Sequence, residues 1–273
     1  MDTYLVEQRW RDRRDSYRQR GDRFDPSAFG VEVLREDREA RAFVQAHHYS
    51  GSYPAARCRV GLYRGREGWY RGELVGVAVF SVPMAQAVIP RWGGVEAASG
   101  VELGRFVLLD SVGFNAESWF LSRALRALRA ELPEVEAVVS LSDPVPRSTS
   151  SGIVVTPGHV GTIYQALGAS YRGRTEARTH YQGADGRFLS PRALSKIRGE
   201  ERGWEYASRD LIQAGADPRW IGEAPEAWLA RVLPSFRRVR HPGNHVYLFR
   251  IDPRGRRSAE ASILPYPKKT ESQ

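Results

Sequence analysis

VELGRFVLLD (101–110), SVGFNAESWFLSRALRALRAEL (111–132), VEAVVSLSDP (135–144) and GHVGTIYQALGASY (158–171) follow one another through the middle of the chain. Val101, Leu103, Phe106, Leu108 and Leu109 form a largely apolar run between Gly100 and Asp110, which suits a buried strand. Trp119, Phe120, Leu121, Ala124, Leu125, Leu128 and Leu132 recur close to helical spacing, with Arg123, Arg126 and Arg129 opposite, and Pro133 stops the helix. Val135, Ala137, Val138, Val139 and Leu141 make a second buried strand. Two such strands joined through a helix are most simply parallel neighbours. Val160 to Leu167 reads as another helix, ended by Gly168. Ligands of open sheets bind beyond the carboxyl ends of the strands. That rule puts Asp110, Asn115 and Ser118 off the first end and Ser142 and Asp143 off the second.

Working outward, Val31 to Leu34 reads as a short strand and Glu36 to His47 as a helix running into the polar, aromatic loop HHYSGSYP (47–54). Arg59 to Tyr63 and Leu74 to Val82 read as a hairpin around RGREGWYRGE. Ala85 to Ser99, with Trp92, reads as a surface loop because it is dense in Gly and Pro. PVPRSTSSGIVVTPG (144–158) reads as a mobile insertion near the site. Tyr171 to Tyr181 alternates like a strand, and SPRALSKI, YASRDLIQAG and APEAWLARVL are helical. FRRVRHPGNHVYLFRI (236–251) reads as a hairpin turning at Pro242-Gly243-Asn244. The expected organisation is a charged arm (1–30), a catalytic core (31–182), a helical elaboration with a closing hairpin in the same domain (183–253), and a disordered tail (254–273).

With 273 residues, 41% hydrophobic and 27% charged, the chain can bury a sizeable core. It carries no run long enough to span a bilayer and no apolar signal core, so no membrane partner is expected and the cytoplasm is the expected compartment. A single cysteine, Cys58, excludes an intramolecular disulfide and a cysteine-based zinc site, and no metal is predicted. Net charge is +9, almost all of it from arginine, so polyanions are the natural partners. From Arg231 to Arg257 eight arginines stand against one acid, Asp252.

Hairpin, central strand, helix, strand, helix, strand is the order of the N-acetyltransferase-like (GNAT) fold, an α/β mixed sheet flanked by helices. HHYSG, ELGRF, NAESWFLSRAL, VVSLSDP and GHVGTIYQALGASYRG, over roughly residues 40–182, resemble the bacteriophage Mom family of DNA modification proteins. The resemblance implies conversion of adenine in DNA to a carbamoylmethyl (glycinamide) derivative at its exocyclic amine, which protects phage DNA from restriction. It puts the functional positions at His48, Tyr49, Arg105, Ser118, Asp143, His159 and Tyr164. About fifteen residues separate SLSDP from GHVG, which are close together in the family.

Acylating an exocyclic amine needs a base, an oxyanion donor and a pocket for the unstacked purine. The expected catalytic groups are Asp143, Ser118, Tyr164, His48 and Arg105, with the base among Asp143, His48 and His159. Tyr49, Tyr53, Trp119, His159 and Asn115 are the substrate-binding candidates, and Arg172, Arg174, Arg237, Arg238 and Arg240 the DNA-binding ones. Each has a plain structural alternative. Arg105 pairs with Glu102 or Asp110, Asp143 forms a turn, Tyr164 packs in the core, Ser118 and His159 start helices, and His241 and His245 are turn and strand residues. The turn SVGFNAES lacks the Q/R-x-x-G-x-G/A pattern that cradles coenzyme A pyrophosphate. The favoured donor is therefore of the glycyl-tRNA type, acetyl-CoA being the alternative. Double-stranded DNA is the expected partner, with aminoacyl-tRNA beside it, and a homodimer is compatible. The competing functions are a coenzyme-A-dependent N-acetyltransferase on a small amine or protein, and a non-catalytic nucleic-acid-binding phage protein.

Overall fold

Alternating apolar residues build most of the strands, and amphipathic segments cover them. The computed structural model describes residues 6–11, 14–19, 24–48, 50–65, 71–113, 115–156, 158–252 and 264–268. In chain order its strands are β1 (Val6–Arg11), β2 (Arg14–Gln19), β3 (Phe29–Val33), β4 (Ala56–Arg64), β5 (Glu73–Ser81), β6 (Gly100–Leu108) and β7 (Ala137–Ser142). They continue with β8 (Arg147–Ser148), β9 (Val154–Thr156), β10 (Ser170–Arg174), β11 (Arg178–Gln182), β12 (Arg237–His241) and β13 (His245–Arg250). The helices are α1 (Asp37–His47), α2 (Ala116–Glu131), α3 (Thr162–Ala166), α4 (Pro191–Arg198), α5 (Trp204–Gln213) and α6 (Pro225–Val232).

The chain divides into two compact units. The first comprises Met1–Pro144, His159–Thr175 and Asn244–Gln273, and the second Val145–Gly158 and Glu176–Gly243. The helical elaboration expected inside one domain is thus a separate unit, beginning at 176 and taking in the 145–158 insertion as well.

In the first unit seven strands form one mixed sheet in the order β10-β13-β7-β6-β5-β4-β3. β6 and β7 run parallel, as the strand-helix-strand reading required. Phe120, Leu121, Ala124 and Leu128 of α2 cover one face, against Val60, Leu62, Ala78, Phe80, Val101 and Val138. On the other face Ala40, Phe43 and Val44 of α1 meet Val77, Val79 and Val107. The 85–99 segment is largely exposed, as expected of a surface loop, but it is not irregular throughout. A π-helical turn (Ile89–Gly93) lies on Ala137, Val139, Val246 and Leu248, with Ile89 1% exposed and Trp92 packed beside it. Gly93 is the glycine that allows close packing, since a Cβ there would stand 3.3 Å from that of Ala137, while Gly94 ends the turn at φ 64°. Asp25 caps a short 3-10 turn before β3, its carboxylate accepting from the Ser27 N–H at 2.9 Å. β1 and β2 of the arm pair antiparallel with each other.

The second unit has its own core: Ile197, Ala207, Leu211, Trp228, Leu229, Val232 and Phe236 from α4, α5, α6 and the segment that follows. Ser190 caps α4 and accepts from the Ala193 N–H. β8 pairs with β9 and β11 with β12. The insertion is thereby built in, Gln182 Nε2 donating to Ser148 O at 3.3 Å and Ser150 N–H to Ala184 O at 2.8 Å. Trp228 is fully buried and donates its indole N–H to Asp217 O at 2.8 Å. We expect Trp228→Ala to cost about 3–5 kcal/mol, read as an early denaturant transition that spares the first unit.

Two further readings change. Residues 171–181 are not one strand but parts of β10 and β11, in different sheets. Residues 236–251 are not a hairpin: β12 pairs with β11, while β13 pairs with β10 and β7. Pro242-Gly243-Asn244 has hairpin-turn chemistry, but long-range partners decide where each arm goes. Thr175 N–H donates to Asn244 O at 2.9 Å and Asn244 N–H to Thr175 Oγ1 at 2.9 Å, so the two breaks coincide. In the tail, Leu264–Lys268 follows β10: Leu264 N–H bonds Tyr171 O and Tyr266 Oη donates to Ala169 O.

Candidate active site

A fork in the sheet sets the site. The β6–β7 ladder holds only for Gly100–Glu102 against Ala137–Val139, after which the strands share no register. β6 also bulges at Gly104, where the β5 partners pass from Arg105 to Leu103. A Cβ at Gly104 would collide with Ser81 Oγ, which explains the glycine of ELGRF. Past the fork on β7, Ser140 and Ser142 are fully buried with hydroxyls that meet no partner.

The bulge presents Arg105 to the loop after α1. Its Nε donates to Ser52 O at 2.9 Å and its Nη2 to Ser52 Oγ at 2.7 Å. His48 closes α1, its N–H bonding Val44 O, and its Nδ1 accepts from the Ser50 N–H at 3.1 Å. Desolvation first, then the charges of Arg105 and His159, hold the His48 pKa down to about 3. The ring is therefore neutral at pH 7 with its proton on Nε2, a hydrogen-bond donor and not a base. Glu102, at the fork itself, has a carboxyl pKa raised by desolvation, partly offset by Arg105. Sequence reasoning saw Glu102 only as a partner for Arg105.

Asp143 ends β7, and the chain leaves there for the insertion and returns at His159. The His159 N–H donates to Asp143 O at 2.8 Å, so SLSDP and GHVG are neighbours in space despite the residues between them. His159 is exposed; desolvation by the neighbouring protein lowers its pKa, and the Asp143 charge opposes that. Gly161 of GHVG starts α3 in the left-handed region at φ 75°.

His245 is 1% exposed and pairs in register with Ser142. Arg174 Nη2 lies 3.4 Å from its Nε2, and guanidinium only donates, so Nδ1 carries the proton and donates to Tyr171 Oη at 2.9 Å. Desolvation, Arg174 and His159 lower its pKa to about 4. Only the short HVYLFRI echo signalled it. The depressed histidines, His48 and His245 with His159 in the same direction, make the native state lose stability in acid. The unfolded chain takes up the protons of His48 and His245 near pH 6.5 and the folded one only near 3 to 4, so stability is full above 6.5 and falls through that interval. Tm should drop between pH 6.5 and 4, and His245→Gln should flatten part of that slope.

The other expected residues have these places. Ser118 turns back to donate to Asn115 O at 3.2 Å, and Asn115 precedes α2 at φ 69°. Tyr164, 8% exposed, packs against Tyr247 and Phe249 in the main core. Trp119 lies edge-on to Phe24 at 5.1 Å under the Arg123 guanidinium at 3.7 Å. Tyr53 donates to Asp37 at 3.0 Å below Arg41. Tyr49 lies outside the described residues. Arg172 is half-buried, its pKa lowered by desolvation and then by Arg250. Arg237, Arg238 and Arg240 are exposed on β12 of the second unit. The structure thus links Arg105, His48, His159 and Asp143, while Ser118 and Tyr164 make contacts elsewhere. An open groove of about 500 Å³ runs along Arg126, Arg129 and Gly168 to Arg250, whose register partner Ala137 is at the other end of β7 from the site. Among the described residues no cluster of His, Cys, Asp or Glu could hold a metal, and no helix is long and apolar enough to cross a membrane.

A seven-stranded mixed sheet between helices, forked between a bulged strand and its parallel neighbour, defines a GNAT-like α/β protein. The chain belongs to the Mom protein family, whose model matches residues 31–268. It is 29% identical over 171 residues to the methylcarbamoylase mom of Escherichia phage Mu, covering 60% of this chain and 61% of that protein. Among solved structures it is similar to a tandem GNAT protein from the clavulanic acid biosynthesis pathway, without AcCoA (TM-score 0.41, 11% identity, 82% of this chain and 99% of that one). A Bacillus subtilis acetyltransferase in complex with CoA also matches (TM-score 0.31, 9% identity, 81% and 98%).

Proposed function

We propose that the chain modifies adenine in phage DNA by transferring a glycyl-type acyl group to the exocyclic amine. The observation that carries this is the closure of Asp143 onto His159 beside the Arg105–His48 pair, in a chain of the Mom family. Asp143, at a strand end, accepts the proton that the amine loses as its nitrogen bonds the acyl carbon. His48, held neutral, donates from Nε2 to the developing oxyanion. Arg105 ties the loop to β6, and its charge adds to the desolvation that keeps His48 neutral. His159, exposed beside Asp143, contacts the flipped base. Arg172 and Arg174 of the first unit and Arg237, Arg238 and Arg240 of the second meet DNA phosphates.

A glycyl ester of the aminoacyl-tRNA kind fits the product without redox chemistry. As the amine nitrogen bonds the acyl carbon, the ester C–O bond breaks. The tRNA oxygen leaves as a hydroxyl, taking the proton that Asp143 accepted. The free amino group of the glycyl amide then attacks ring carbon six through a five-membered transition structure. The carbon-six bond to the amide nitrogen breaks, and a glycinamide attached through its amine remains. All atoms are retained and no electrons are gained or lost. Acetyl-CoA would need an added nitrogen and an oxidation at its methyl carbon. The test is mass spectrometry of nucleosides after incubating purified protein with DNA and either glycyl-tRNA or acetyl-CoA. A modified deoxyadenosine is expected with glycyl-tRNA only; its formation from acetyl-CoA in RNA-free conditions would overturn the donor assignment.

A further inference from the structure

The second unit carries an apolar tip held by a network of hydrogen bonds and an ion pair. Trp220 is 64% exposed and Ile221 is fully exposed, on the 217–223 turn between α5 and α6. The turn is fastened beneath them. Glu223, its side chain 8% exposed, accepts the Trp220 N–H at 2.9 Å and the Arg231 guanidinium through both carboxylate oxygens at 2.8 Å. Arg231 also donates to Pro218 O at 3.0 Å and stacks 3.9 Å from the Trp220 ring centre. Arg219 donates to Glu223 O at 2.5 Å and to Glu200 at 2.8 Å. Hydrogen bonding to Arg231 pulls the Glu223 pKa down to about 2, so the clamp stays ionised at pH 7. One face of the indole is thus backed by a guanidinium, and the unit leaves much of the ring to solvent.

Size selects the partner. A Trp side chain buries about 150–250 Å², so two residues fall well short of the ~800 Å² per side that a stable protein interface needs. A slot between two stacked bases admits one or two apolar side chains. Charge agrees: Arg237, Arg238 and Arg240 are exposed on β12 of the same unit and take part in no ion pair among the described residues.

We propose that Trp220 and Ile221 form a rigid wedge that enters a base step of duplex DNA, the clamp beneath keeping the indole from folding away when it meets the stack. The wedge rests on the DNA reading above. The test uses full-length protein and duplexes in which 2-aminopurine replaces single adenines, with binding followed by anisotropy at several salt concentrations. Wild type should raise 2-aminopurine emission severalfold at the wedged step. Trp220→Ala/Ile221→Ala should lose that rise and bind about 5- to 150-fold more weakly with an unchanged salt slope, while Trp220→Phe restores it. Arg237→Ala/Arg238→Ala/Arg240→Ala should instead lower the slope and keep the rise at saturation. Equal emission from the double variant overturns the wedge and leaves the DNA reading standing. A change of oligomeric state in that variant makes the tip a self-association surface and overturns the wedge also. Wild type that binds no duplex overturns both readings together.

Discussion

Asp143→Asn should leave no detectable modified deoxyadenosine in DNA from expressing cells, with the protein folded and its DNA affinity unchanged. Asn keeps the size of the side chain but cannot accept the amine proton as a carboxylate does. A positioned base contributes about 10²–10⁴ in rate. The bond that closes the excursion uses the Asp143 main-chain oxygen, at 2.8 Å from the His159 nitrogen, so substitution leaves that joint in place. Nucleoside mass spectrometry reads the product and thermal melting the fold. Product at the wild-type level would remove Asp143 from the chemistry. Asp143→Glu, with a displaced carboxylate, should fall between the two.

Gly161→Ala should be among the most damaging single changes in the first unit. At φ 75° an L-residue is strained, by about 1–2 kcal/mol. The new methyl would also stand 2.5 Å from Tyr247 Cε2 and 2.9 Å from Tyr164 Cδ2. Tyr247 is fully buried within β13, and its hydroxyl donates to Val160 O and accepts from Gln165 Nε2, so it cannot retreat. Strain and overpacking together should cost about 2–5 kcal/mol, a Tm loss on the order of 10 °C. Gly168→Ala is the control. Its φ is 72° with nothing within 4 Å of the added methyl, so only the strain applies.

What could be read in advance follows the range of the interaction that decides it. The 101–142 strand-helix-strand carries its own periodicity and short connections, and its parallel pairing needed no distant information. The Asp143–His159 adjacency was stated by two motifs and obscured by the residues between them. The fate of 171–181 and 236–251 was hidden, because both alternate like continuous strands and only pairing across some seventy positions shows where each breaks. Tyr164 and Trp119 looked like chemistry by type, and their burial against Tyr247 and Phe24 is a packing fact that composition does not hold. The neutrality of His48 was illegible for a similar reason: it depends first on desolvation in the folded chain and then on Arg105, which a bulge turns toward the loop. The Trp220 tip was passed over because an exposed tryptophan carries no motif.

The order β10-β13-β7 has a consequence for synthesis. The last strand among the described residues takes an interior berth, with an earlier strand waiting on each side. Until the ribosome has released about residue 250, β10 has no neighbour to join and β7 keeps one edge bare. A message cut short just before β13 would therefore cost the sheet two strands, and would strand His245's partners Tyr171 and Arg174 with nothing to hold.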